Sequence, residues 1–249
     1  MGVVMKSTVV FALAGVCLLI PSLHGQSDPA SLPTVTPETR GDVYMAKKMY
    51  REAIEAYKQS PELNALLWNK IAIAYHQLGE QKTAKQGYEK SLKLDPNYAV
   101  ARNNLGTIYH EQKNYRRAIR EYKKALEFEP TSASFYSNLG TAEFARKRYK
   151  EAIQAYQEAV RLDPDVFERR NNVGILLQER TVEERAKFHY YLARTYAQAG
   201  MNDGALLCIR KSLEEGFLER KKYLEDPEFA AIREMPEFKE LMAAQPRAL

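Results

Sequence analysis

The chain has 249 residues, of which 45% are hydrophobic and 28% charged, and a formal net charge of +5. That is enough apolar material for one large packed domain or two small ones, which excludes a chain too polar to fold. The basic excess is too mild to argue by itself for an anionic partner.

The first residues differ from the rest. "MGVVMK" carries one positive charge, "STVVFALAGVCLLI" follows as an apolar run, and "PSLHG" breaks it. A bilayer span needs about 20 apolar residues, so residues 1–25 are expected to be a secretory signal peptide cleaved after Gly25. The alternative is an uncleaved N-terminal anchor. A bacterial lipoprotein signal is disfavoured, because Val16 precedes Cys17 where Gly, Ala or Ser is required. A periplasmic or secreted location is therefore the expectation. Removing the signal leaves Cys208 as the single cysteine, which excludes an internal disulfide in the mature chain. Its setting, "GALLCIRKSL", reads as buried helical filler. Residues 26–36 are proline-rich and read as a flexible lead-in, with Thr36 and Pro37 as a helix cap and a first-turn proline.

From there a period of 34 governs the chain. Pro96, Pro130 and Pro164 follow it, each preceded by an acid. So do Ala84, Ala118, Ala152 and Ala186; Tyr88, Tyr122, Tyr156 and Tyr190; Ser91, Ala125, Ala159 and Ala193; and Gly106, Gly140 and Gly174. Five series in one phase mark a repeat array. These residues resemble the tetratricopeptide repeat, a helix-turn-helix unit. The resemblance implies an all-α, right-handed solenoid of antiparallel helix pairs. Small residues let the paired helices approach to about 8–10 Å, aromatics fill the hollows, and proline ends the second helix.

In chain order, residues 37–64 form a shortened unit, and 65–98, 99–132 and 133–166 three full ones. The last of these departs at Glu143, where the family prefers an aromatic. Residues 167–216 are degenerate: "NNVG" keeps phase, but "TVEE" replaces the turn, with Thr181 and Glu184 spaced as a capping box. Residues 182–198 also read in a second register, in which Leu192, Ala193 and Tyr196 belong to a first helix paired with "MNDGALLCIRKSLEEGF". One helix is thus expected to serve two neighbours. Residues 217–249 are expected to be capping helices, where Pro227 and Pro236 open turns and Phe229 and Phe238 anchor them. They resemble the tails that often close bacterial arrays of this family.

The motifs of catalysis are absent: no Gly-rich phosphate loop, no H-E-x-x-H, no C-x-x-C and no nucleophile elbow. Neither catalytic residues, nor a cofactor, nor a metal is expected. His76 and His110 stand 34 apart, but the next equivalent is Phe144 and no third ligand is evident. The acids read as solvated helix faces, as in Glu121 beside Lys124. Six basic residues between Lys113 and Lys124 read the same way, with Arg116, Arg120, Lys123 and Lys124 on the outward side of one helix.

Members of this family bind extended peptides or partner helices along their first helices. Carried onto this sequence, the resemblance implies a strip of Leu66, Asn69, Ile73 and His76; Val100, Asn103, Thr107 and His110; Ser134, Ser137, Thr141 and Phe144; and Asn171. The strip is neutral and rich in amides and hydroxyls, which suits a peptide backbone. The alternative is that Asn104, Asn138 and Asn172, one residue along, merely bridge helices. A ligand held by its C-terminal carboxylate is not expected, because Asn69, Val100, Asn104, Ser134 and Asn138 occupy the basic positions of that clamp. The leading expectation is a non-enzymatic exported scaffold that binds a protein or peptide. An accessory subunit of a cell-envelope enzyme or assembly machine is the alternative. Nucleic-acid binding through the basic faces ranks below both, and membrane contact is expected only if the N-terminal segment is retained.

Overall fold

A computed structural model of the protein describes residues 35–167 and 181–243. The signal-peptide reading, most of the lead-in, Asn171 and Asn172, Gly174 and the final six residues lie outside them. Among the described residues the chain is helical throughout. The helices are α1 (Pro37–Ala46), α2 (Tyr50–Lys58), α3 (Ala65–Gln77), α4 (Gln81–Leu94), α5 (Ala99–Glu111), α6 (Tyr115–Phe128), α7 (Ala133–Ala145) and α8 (Tyr149–Leu162). They continue as α9 (Val182–Gln198), α10 (Asn202–Glu214), α11 (Lys221–Glu225), a 3-10 turn (Pro227–Phe229) and α12 (Pro236–Ala243). Helices α1 with α2, α3 with α4, α5 with α6, α7 with α8, and α9 with α10 pair across short turns, and the pairs stack into an all-α solenoid.

Two local devices repeat. The first ends each first helix. The residue after its C-cap adopts left-handed backbone at Lys48, Gly79, Lys113, Lys147 and Gly200. The next residue's N–H then reaches back five positions, as from Glu80 to Tyr75 O and from Asn114 to Tyr109 O, 2.9 and 2.8 Å. These bonds cap carbonyls that the helix leaves unpaired. The second device is a glycine at the close approach of each pair, set in most of them against a tyrosine ring. Gly106 faces the Tyr122 ring and Gly140 the Tyr156 ring. In the first pair Gly41 faces Tyr57. In α3 and α4 the glycine changes sides, and Gly87 receives the methyl of Ala72. Ala84, Ala118, Ala152 and Ala205 are all fully buried at the corresponding place in the second helices.

At the degenerate end the second register is the one that appears in the α9–α10 pair. Ser91 Oγ donates to Ala65 O across α3 and α4, at 2.7 Å. Ser212 Oγ makes the same 26-residue bond to Ala186 O across α9 and α10, at 2.6 Å. Gly200 then falls at the turn where Gly79 stands. The α9 helix begins with Thr181 and Glu184 closing a reciprocal capping box, and it packs against α8 as well as α10. Its far face receives the end of the chain. Tyr190 stacks on Phe217 at 4.8 Å and meets Tyr223 edge-on, while Phe229 and Phe238 are buried as anchors. Cys208 is buried in α10.

One acid departs from expectation. Glu121 is not on a solvated face beside Lys124; it is buried and pairs with Arg102 of α5 at 3.5 Å and Arg120 at 3.3 Å. The burial of Glu121 follows from its place on the flank of α6 that packs on α5, where Arg102 offers a charge on the same unit. The rest of the basic cluster, Arg116, Arg117, Lys123 and Lys124, is exposed.

Candidate functional site

The first helices of successive units touch, α3 with α5 and α5 with α7, and the expected strip lies on them. Its amides are joined to one another. Asn104 Nδ2 donates to Asn69 Oδ1 at 3.1 Å, and Asn138 Nδ2 donates to Asn103 Oδ1 at 2.9 Å. Asn103 also approaches Asn104 at 3.5 Å. The result is an amide ladder across three helices, in which Asn69 is only 2% exposed. A buried amide requires such partners, since an unpaired one costs about 1–3 kcal/mol. The bridging role weighed for Asn104 and Asn138 is therefore present.

The hydroxyls of the strip turn back on their own helices. Thr107 Oγ1 donates to Asn103 O at 3.2 Å and receives the Tyr122 hydroxyl. Thr141 does the same with Ser137 O, at 2.9 Å, and Tyr156. Ser137 and Thr141 are buried, Ile73, His76, Val100, Thr107 and Ser134 half-buried, and Leu66 exposed. Burial pushes the Tyr122 phenol upward, with the Thr107 hydrogen bond opposing it. Lys70, the one basic residue near the strip's start, is bound by Glu38 and Asp42 of α1 at 2.8 Å.

At the turn end of the helices the strip changes character. His76 Nε2 lies 2.9 Å from the Glu111 carboxylate, which also receives Gln81. Glu111 was not among the sequence candidates; the signal that could have found it is its spacing of 35 from His76. His110 is buried beside the Tyr115 ring, 5.1 Å away. Phe144 packs on Tyr149, Phe188 and Tyr191 at 5.4, 5.7 and 6.0 Å. Of these residues Gln81, His110, Glu111, Tyr115, Phe144 and Tyr149 line a cleft of ≈ 880 Å³ that runs from the α5–α6 turn to the start of α9. The structure thus brings His110 and Phe144 to one opening, holds Asn69 and Asn103 in the ladder, and buries Ser137 and Thr141. Among the described residues no group of three or more His, Cys, Asp or Glu could hold a metal ion.

Helix pairs of this length, stacked with small-against-aromatic contacts and left-handed turns, define a tetratricopeptide-repeat protein. Three models of that repeat match the chain, over residues 39–65, 65–128 and 103–166. The chain is a tetratricopeptide-repeat protein across that span, about half its length, and the fold is one typical of protein–protein interaction scaffolds. The "Uncharacterized protein ycf37" of Pyropia yezoensis is 38% identical over 74 residues, which is 25% of this chain and 42% of that protein. The chain therefore spans less than half the length of that relative. A crystal structure of MamA aligns at 23% identity and a TM-score of 0.49, covering 74% of this chain and 96% of that one. MamA 41-end from Desulfovibrio magneticus RS-1 aligns at 22% identity and a TM-score of 0.49, covering 70% and 90%.

Proposed function

We propose that the protein is a non-enzymatic, exported scaffold that holds a protein partner along its first-helix face. The observation that carries this reading is the continuity of α3, α5 and α7, tied side by side by the Asn69–Asn104 and Asn103–Asn138 bonds. Such a tie keeps the face rigid, so a segment lying on it loses little of its binding energy to ordering the receptor. The half-buried Ile73, His76 and Thr107 and the exposed Leu66 are what the face offers a ligand. Export is supported by the charged, apolar and small-residue succession of residues 1–25; a mature N-terminus still at Met1 in cytosolic protein would refute it.

The test of the scaffold role is positional. A photo-crosslinking side chain is placed in the full chain at Ile73, at Thr107, or at Lys124 on the opposite face. A single stoichiometric adduct from the first two sites alone is expected. The same adducts from all three, or none, would sink the reading.

A further inference from the structure

We propose that the cleft at the turn edge of α5, α7 and α9 is the docking site for an acidic segment of the partner that carries an aromatic residue. The inference rests on the scaffold reading and adds the partner's chemistry. The cleft is walled by Tyr115, Phe144 and Tyr149 and carries Lys113, Lys147 and Lys187. Lys113 and Lys147 are exposed, and neither pairs with a carboxylate among the described residues. Of the three acids that line the cleft, Glu111 and Glu184 are engaged elsewhere. Glu111 is held by His76 and Gln81, and Glu184 closes the capping box. Glu183 stands in the first turn of α9, where the helix dipole favours a negative charge. Lys187 lies 4.7 Å over the Tyr149 ring. Two uncommitted ammonium groups beside an aromatic wall complement a carboxylate next to an apolar ring.

The chain itself already binds one segment of this kind. Residues Asp226–Phe229 lie against α9. The Tyr190 hydroxyl donates to Asp226, and Arg194 and Gln198 donate to Glu228. Phe229 is fully buried among the Tyr190 and Tyr223 rings. In the register set by the Ser91 and Ser212 bonds, Tyr190 and Arg194 occupy the places of Asn69 and Ile73. An acidic, proline-bearing, phenylalanine-anchored stretch is therefore recognised on a first-helix face by a cation and aromatic rings. The cleft likewise sets cations beside aromatic rings, reaching from the α5–α6 turn to the first turns of α9, with no segment of the described chain in it.

The probe is a fluorescent peptide of this protein's own residues 224–235, LEDPEFAAIREM, against a counterpart with Glu225, Asp226, Glu228 and Glu234 as amides. Binding to the full chain is read by anisotropy at low and high salt. The acidic peptide is expected to bind about tenfold tighter than its amide counterpart, a gap that narrows with salt. Lys113→Gln with Lys147→Gln is expected to abolish the gap. Arg116→Gln with Arg120→Gln, which removes equal charge from the opposite face, is expected to leave it intact. Equal binding of the two peptides, binding of neither, or a gap that survives in the lysine variant overturns the proposal. Retention of the wild-type crosslinks at Ile73 and Thr107 by the lysine variant also refutes the cleft, while the scaffold reading stands. Absence of any crosslinked partner from the unmodified face refutes the scaffold reading instead.

Discussion

The ring of Tyr122 lies against the bare Cα of Gly106, so close that a β-carbon there would sit 2.6 Å from its Cε1. Tyr122 is itself fully buried and has no room to retreat. Gly106→Ala should therefore cost about 1–3 kcal/mol by overpacking, despite the better helix propensity of alanine. Gly140→Ala, with Tyr156 at 2.4 Å, should cost a similar amount. Tyr122→Phe should be mild, because the hydroxyl it deletes makes only a 3.4 Å bond to Thr107. Urea unfolding measures all three, and an unshifted midpoint for Gly106→Ala would contradict the packing described.

The left-handed turns give a prediction of opposite sign. Lys113 and Lys147 hold φ of 58° and 62°, a region in which a β-carbon costs about 1–2 kcal/mol. Glycine removes that cost but enlarges the unfolded ensemble, so Lys113→Gly and Lys147→Gly should each stabilise by about 0.5–1 kcal/mol. Gly79→Ala, at φ 78° with open space around it, should destabilise. Thermal melts of single variants decide the matter; a lower melting point for Lys113→Gly would show that the lysine side chain stabilises the turn in some other way.

The amide ladder predicts coupling. Asn138→Ala removes the donor to Asn103 Oδ1, and Asn103 is buried, so the loss should be about 1–2 kcal/mol. A cycle with Asn103→Ala should show that the double variant costs less than the sum of the singles. Strict additivity would mean that the two amides do not depend on each other.

Acid should act at the other end of the molecule. Burial alone would push the Glu215 carboxyl up, but the hydrogen bond and charge of His189, and those of Arg185, outweigh it and hold it below its ordinary value of 4.5. The bonds are 2.7 Å to His189 Nδ1 and 3.1 Å to Arg185 Nε. A carboxyl lowered in the folded state stabilises it above the unfolded value, and that contribution is lost as pH falls from there through the folded one. The stability difference between the natural chain and Glu215→Gln should thus be full at pH 6–7 and shrink below about pH 4.5. A difference that does not change with pH would exclude this account.

The sequence carries the helix pairs because the 34-residue period is written in glycine, alanine and tyrosine, whose sizes alone dictate the contacts. Phe229, Phe238, Cys208 and the Thr181–Glu184 box were legible for the same reason: each is a local signal of size or capping. The polar contacts were not. Asn69 to Asn104, Asn103 to Asn138 and His76 to Glu111 all join residues 35 apart, a diagonal between units that a search at 34 passes over. Glu121 was hidden differently, since its inward turn depends on Arg102 of the preceding helix and not on its own neighbours.

The docked segment Asp226–Phe229 also constrains how the array could change its length. Tyr190, Arg194 and Gln198 grip it from α9, and the corresponding places in the regular units hold Asn69, Ile73 and Gln77, none of which is an aromatic or a cation. A unit copied in after α10 would separate the terminal segment from the residues that hold it and leave Phe229 without a berth. A unit copied in before α9 would have to remake the ring contacts of Phe144 with Phe188 and Tyr191, but would leave the grip on Asp226–Phe229 intact. Growth or shortening of this solenoid by duplication is thereby confined to one side, with α9 and everything after it inherited as a single piece.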